Sequence, residues 1–156
     1  MKAIYITHEV YERLTDEHKF LKTVRRKELS KAVGEARDHG DISENAEYDA
    51  AKEALAMNEK KIIELEDKLS RVKILDYKDL PQDRALIGAT VELEDLDSKE
   101  KERYTLVSEV EIDYAQGKIS VNSPVGQSLL GHKENQTVKI KTPAGILRYK
   151  ILKISR

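Results

Sequence analysis

From Val10 to about Tyr77 the chain has no proline and only two glycines, Gly34 and Gly40. Across the later part of this span, Ala51, Leu55, Asn58, Ile62, Leu65, Leu69 and Val72 step alternately by four and three residues. That spacing predicts a helix with an a/d seam, interrupted by one polar residue, Asn58, of the kind that fixes register in coiled coils. Earlier in the span, Leu14, Leu21, Val24, Leu29, Val33 and Ala36 form a second, less regular stripe. The Glu, Lys, Arg and Ala between them favour helix. Neither helix can bury its stripe alone. A short break separates them, so they are expected to fold back as an antiparallel hairpin, each arm about 40 Å long at ~1.5 Å per residue. Gly34 costs roughly 1 kcal/mol relative to Ala inside a helix; a close approach of the two arms is one reason to keep it.

After Tyr77 the period changes. The stretch 78–84, with Pro81, reads as a linker. Segments 89–94, 103–107, 118–121, 137–141 and 146–154 read as half-buried strands by their alternation. Thr142-Pro143-Ala144-Gly145 reads as a turn. Ser123 and Pro124 have the chemistry of an N-cap followed by N1, so a short helix is expected there, finishing near Leu129, Leu130 and Gly131. The fold class is therefore α+β: a hairpin over 1–77, a linker over 78–84 and a mainly antiparallel β domain over 85–156. The composition agrees. With 37% charged and 39% hydrophobic residues, no Trp and one Phe, the chain suits thin layers better than one thick core.

The break between the helical arms, HGDISENAEYDAAKE, carries the main chemical signal. From Asp38 to Asp49 there are five carboxylates (Asp38, Asp41, Glu44, Glu47 and Asp49) and no Lys or Arg. Upstream, Lys19 to Lys31 holds six basic residues and one acid. Two readings of Asp41 and Glu44 stand side by side. They have the spacing of a capping box, with Ser43 as a rival N-cap and Gly40 as the C′ residue of the preceding helix. Yet a helix needs one or two caps, and a cluster of unneutralised carboxylates suits a cation. Mg²⁺ commonly takes one or two carboxylates together with substrate phosphates, so such a tip makes sense as half of a site that a partner completes. A rod with a basic stem could lie along phosphates while presenting that tip.

Other chemistry is excluded or unsupported. No Cys is present, so disulfides and thiolate metal sites are ruled out, and the four His are scattered. The net charge of −1 points to no partner by itself. No apolar run reaches membrane-spanning length and no signal-peptide core opens the chain, so a cytoplasmic protein with no membrane partner is the expectation.

GDISENAEYDAAKE resembles the tip motif of the bacterial Gre transcript cleavage factors. The likeness extends through FLKTVRRKEL, IGATVEL, ISVNSPVGQSLLG and VKIKTPAGILRYKIL, in family order. The resemblance implies a coiled-coil hairpin followed by an FKBP-like domain. It also implies a factor, not itself a nuclease, that binds bacterial RNA polymerase after backtracking. The C-terminal domain would dock at the rim of the secondary channel and the hairpin would enter it. There Asp41 and Glu44 would help hold the second Mg²⁺ of the polymerase, which cuts the extruded 3′ end of the nascent RNA. By position, Gly40, Ser43, Asn45 and Tyr48 would shape the tip, and Arg37 and Lys52 would meet phosphates or polymerase. Asn122, Ser123 and Pro124 fall on the docking loop, where an acidic residue often stands in place of Asn122. No metal is expected to bind the chain stably alone, and the intramolecular hairpin points to a monomer. The competing readings are a channel-binding inhibitor without cleavage activity, a prolyl isomerase, and a generic oligomerising coiled coil. The lack of apolar aromatics in the second half argues against the isomerase.

Overall fold

The structure, a computed structural model, describes residues 2–39 and 45–156. The chain divides into two compact units, Met1–Ile74 and Leu75–Arg156.

In the first unit β1 (Ile4–Ile6) leads into Thr7, whose hydroxyl accepts from the Val10 N–H and caps α1 (His8–Phe20). The helix continues through a π-helical stretch, Leu21–Arg25, into α2 (Arg26–Asp38). The returning arm is α3 (Ala46–Ser70), followed by β2 (Val72–Ile74). The expected antiparallel hairpin is present, and α3 uses the expected seam: Asn58, Ile62 and Leu65 are buried, while Ala51, Leu55 and Leu69 are half-buried.

Three details differ from expectation. The second arm ends at Ser70, not near Tyr77, and Val72 belongs to a strand. β1 and β2 pair in parallel with Ile4 opposite Val72 and Ile6 opposite Ile74, and the Ile4 N–H donates to the Arg71 carbonyl at 2.9 Å. Parallel pairing needs a long crossover, and the hairpin itself provides it. Ile4 and Ile6 are buried by this pairing, so a contact between chain positions nearly seventy residues apart overrides helical continuation. Secondly, Val24 is 47% exposed instead of lying in the seam. The π-helical turn holds more residues than an α turn, and the added residue rotates Val24 outward. Thirdly, a Cβ added at Gly34 would meet no atom within 4 Å, so this glycine does not mark a close approach.

Asn58 and the π-helical stretch account for each other. The Leu21 carbonyl accepts from the Arg26 N–H across the wide turn and also from Asn58 Nδ2 at 3.0 Å. A buried amide needs such a partner, and the pairing ties one arm to the other at one register.

In the second unit, β3 (Thr90–Asp95), β4 (Lys101–Val107), β5 (Lys118–Ser120), β6 (Thr137–Thr142) and β7 (Gly145–Ser155) form one sheet in the order β5-β4-β3-β7-β6. All pairs are antiparallel except β4 with β5. A register shift opposite Glu92 and Leu93 marks a bulge in β7. This is the mainly antiparallel sheet with a short helix that the sequence implied. The helix, α4 (Pro124–Leu129), brings Leu129 into the core with Val91, Leu93, Leu106, Ile140 and Ile151. Gly126 is required there, since a Cβ would stand 2.1 Å from the Ser120 carbonyl oxygen. The stretch 78–84 is tied to this unit rather than free of it: Arg156 donates to the carbonyls of Pro81 (3.0 Å) and Ile87 (3.1 Å). Among the described residues, no helix is long and apolar enough to cross a membrane.

Candidate functional site: the hairpin tip and its flanks

The far end of the hairpin is closed by one side chain. Asn45 Oδ1 accepts from the Tyr48 N–H at 3.1 Å and so caps α3, while its Nδ2 donates to the Ala36 carbonyl of α2 at 2.6 Å. One amide thus satisfies an orphan donor at the start of one helix and an orphan acceptor at the end of the other. The N-cap of α3 is therefore Asn45, not Asp41 or Ser43, which corrects the capping-box reading. Asparagine suits this double duty because its amide carries both a donor and an acceptor. Gly40, Asp41, Ser43 and Glu44 lie outside the described residues.

Around this closure Asp38, Glu47 and Asp49 are exposed carboxylates. Glu47 and Asp49 stand in the first turn of α3, where the helix macrodipole favours negative charge. Arg37 is exposed in the last turn of α2. Lys52 Nζ lies 4.9 Å from the centre of the half-buried Tyr48 ring, one helical turn away. This is a cation–π contact that holds the lysine beside the tip at little cost.

The stem is less positive than its own segment suggests. Arg26 makes a two-pronged contact with Glu59 of α3, at 2.8 and 3.0 Å. His18 Nε2 lies 2.9 Å, and Lys22 Nζ 3.8 Å, from Glu66 Oε1. Arg25 and Lys31 pair along their own helix with Glu28 and Glu35. The Glu59 hydrogen bond raises the Arg26 pKa further, and the His18 hydrogen bond, helped by Lys22, holds Glu66 below the usual carboxylate range. The expectation of an open basic stem is thereby corrected, because α3 supplies acids directly across the seam. The signal was present in the sequence, as Glu59 and Glu66 flank seam positions 58, 62 and 65. Among the described residues, Lys19 and Lys27 take part in no ion pair.

The second segment singled out lies in the β unit. Ser123 caps α4: its Oγ accepts from the Gly126 N–H (3.1 Å) and donates to the Ser120 carbonyl (2.6 Å). The Asn122 N–H donates to Ser120 Oγ at 3.0 Å. Ser123 is thus committed to shaping the corner, whereas Asn122 and Pro124 are exposed.

Comparison with known proteins agrees with both units. Residues 4–74 match the family profile described as "Transcription elongation factor, N-terminal", and residues 80–156 match "Transcription elongation factor, GreA/GreB, C-term". The chain is 51% identical to transcription elongation factor GreA of Prosthecochloris aestuarii over 153 residues, covering 97% of this chain and 96% of that one. It is 49% identical to GreA of Chloroherpeton thalassium, covering 96% and 95%. Among solved structures it is similar to the transcription factor Gfh1, at 31% identity and a TM-score of 0.50 with both chains fully covered. The acidic-tipped hairpin followed by a five-stranded β unit, together with these matches, means that the chain belongs to the GreA/GreB family of transcription elongation factors.

Proposed function

We propose that the chain is a cytoplasmic, monomeric factor that enters the secondary channel of RNA polymerase and stimulates Mg²⁺-dependent cleavage of the backtracked RNA 3′ end. The observation that carries this reading is the construction of the hairpin. The β1–β2 pair closes one end, and Asn45 clips α2 to α3 at the other. The residues bearing Asp41 and Glu44 are therefore entered and left at the end farthest from the strands. With α3 extending over 25 residues, that end lies about 37 Å along the helix axis. Capping of α3 is performed by Asn45, so the acids of the tip need not be kept for that purpose.

In this reading Asp41 and Glu44 supply oxygen ligands of the type Mg²⁺ prefers, and the polymerase supplies the remainder. The metal, when bound, orients and activates the attacking water. Arg37 and Lys52 stand beside the tip to meet RNA phosphates or polymerase, and Tyr48 keeps Lys52 in place. Asn122 and Pro124 present the exposed part of the docking corner. The nuclease is the polymerase; this chain acts as its accessory.

The test is transcript cleavage on stalled, backtracked complexes. Asp41→Ala and Glu44→Ala are expected to abolish stimulated RNA shortening while polymerase binding survives. Shortening that persists with a neutral tip would overturn the reading. Blocked synthesis without shortening by the natural chain would show an inhibitor of the same architecture instead.

A further inference from the structure

The second unit contains thirteen basic and thirteen acidic residues, so it is neutral as a whole. Those charges are not mixed on its surface. β3 buries Val91 and Leu93 on one face of the sheet and turns Glu92 and Glu94 to the other. The ladder fixes what lies beside them: Arg103 and Lys153 flank Glu92, and Lys101 and Lys150 flank Glu94. At the β6 side of the same face Lys139 stands directly opposite Arg148, with Lys141 one step along. Lys118 completes the face opposite Thr105. This outer face thus carries eight of the unit's thirteen cations and only two of its thirteen acids, a net of +6.

A solvated antiparallel sheet face is ordinarily polar, and lysines on an edge strand discourage aggregation. Those effects explain β6 but not the cations of β4 and β7, which lie inside the sheet. Like charges directly opposite across a ladder destabilise it. The Lys139–Arg148 pair is offset only in part by Asp97, 3.4 Å from Arg148. The helix α4 packs with the core on the other face, and Lys101, Arg103, Lys139, Lys141, Arg148 and Lys153 are exposed. The cations repeat about every 7 Å along a strand and ~4.8 Å between strands, which makes a broad two-dimensional array.

The chemistry of the array selects its partner. Lysine is depleted in the centres of protein–protein interfaces, so an acidic protein surface is a poor match. Single strands need aromatic platforms for their bases, but Tyr104 and Tyr149 lie on the inner face, opposite Val91 and in the core respectively. We infer that the outer face of this sheet binds the phosphate backbone of duplex nucleic acid, without reading sequence.

The experiment is fluorescence anisotropy of the full chain with a labelled DNA duplex of about 20 bp and arbitrary sequence, followed across a salt series. The natural chain is expected to bind with a steep salt dependence. Each phosphate contact removed lowers the slope by about 1. The exposed triple substitution Lys101→Gln/Lys139→Gln/Lys141→Gln is therefore expected to lower the slope by about 3 and to weaken binding about tenfold or more. The stem substitution Lys19→Gln/Lys27→Gln is expected to leave both unchanged. If the triple variant melted early, Lys150→Gln/Lys153→Gln would carry the same test, with a slope change of about 2. Undiminished binding by the sheet variants, or loss that follows the stem variant, would overturn the inference. So would displacement by polyglutamate as effective as by unlabelled duplex, which would mark an acidic protein surface as the partner. Tighter binding of a single strand than of the duplex would overturn it as well.

Discussion

The hairpin and the β unit hold their register by different means. In the β unit the ten residues of the buried cluster are apolar save for the Tyr149 hydroxyl, and the sheet ladder sets the alignment. In the hairpin the seam passes through the buried Asn58 and is flanked by Arg26–Glu59 and His18–Glu66. Two helices side by side leave most of their surface in water, so they cannot enclose a wide apolar layer. Apolar contact alone would tolerate sliding by a heptad. Directional bonds at Asn58, Asn45 and Arg26 remove that freedom, at the modest energies of partly exposed polar contacts. A probe of this kind gets its precision from polar pins, whereas the β unit gets stability from burial.

The largest expected effect breaks the β side of this comparison. Leu93 is fully buried, and Leu93→Ala is expected to cost about 2–5 kcal/mol. Urea unfolding followed by amide hydrogen exchange should show the loss in β3, β4 and β7. A cost below ~1 kcal/mol would mean that this core is less tightly packed than it looks.

A smaller effect tests the pins. Asn45→Ala removes the cap of α3 and the bond to Ala36, and is expected to cost about 1–2 kcal/mol, with faster exchange at Tyr48. Asn45→Asp keeps the acceptor but loses the donor. It is expected to recover the α3 cap while the link to α2 stays broken. Equal exchange in the two variants would show that the cross-arm bond adds nothing.

The smallest effects separate the units by pH. Glu66 has a depressed folded pKa, so its contribution to the hairpin is complete above the ordinary carboxylate range and disappears as pH falls through its folded value. Glu66→Gln should flatten the acid side of the hairpin's stability profile. Tyr77 and Tyr104 are pushed up to about 12, in both cases chiefly by burial. Their folded pKa exceeds the unfolded value of ~10, so their contribution to the β unit is intact below that pH and is lost as pH rises through about 12. Ultraviolet titration of tyrosinate would check this. Ionisation of both groups near the unfolded value would remove the contrast.

Much of the β unit was legible because its signals are local. Ser123 and Pro124 announce a helix start wherever they stand before an apolar turn, and the structure uses them so. The alternating strands came out within a residue or two of their expected bounds, since one face is buried throughout. The α3 seam was legible for the same reason. The π-helical stretch was not, because nothing in Leu21–Arg25 differs from an ordinary helix; only its bond to Asn58 on the other arm makes the wide turn worthwhile. Asn45 was legible as a turn residue, but its bond to Ala36 depends on where the first arm ends.

By itself the sequence determined which stretches are helix and which are strand, where the chain turns, and that carboxylates crowd the turn between two long helices. These follow from side-chain periodicity and from conformational preferences that each residue carries with it. The tertiary structure alone decided that Ile4–Ile6 would meet Val72–Ile74, that α3 would neutralise part of the basic stem, and that eight cations from four strands would share one sheet face. Each of those outcomes joins residues far apart in the chain, and their proximity is set by packing rather than by any preference written at either position.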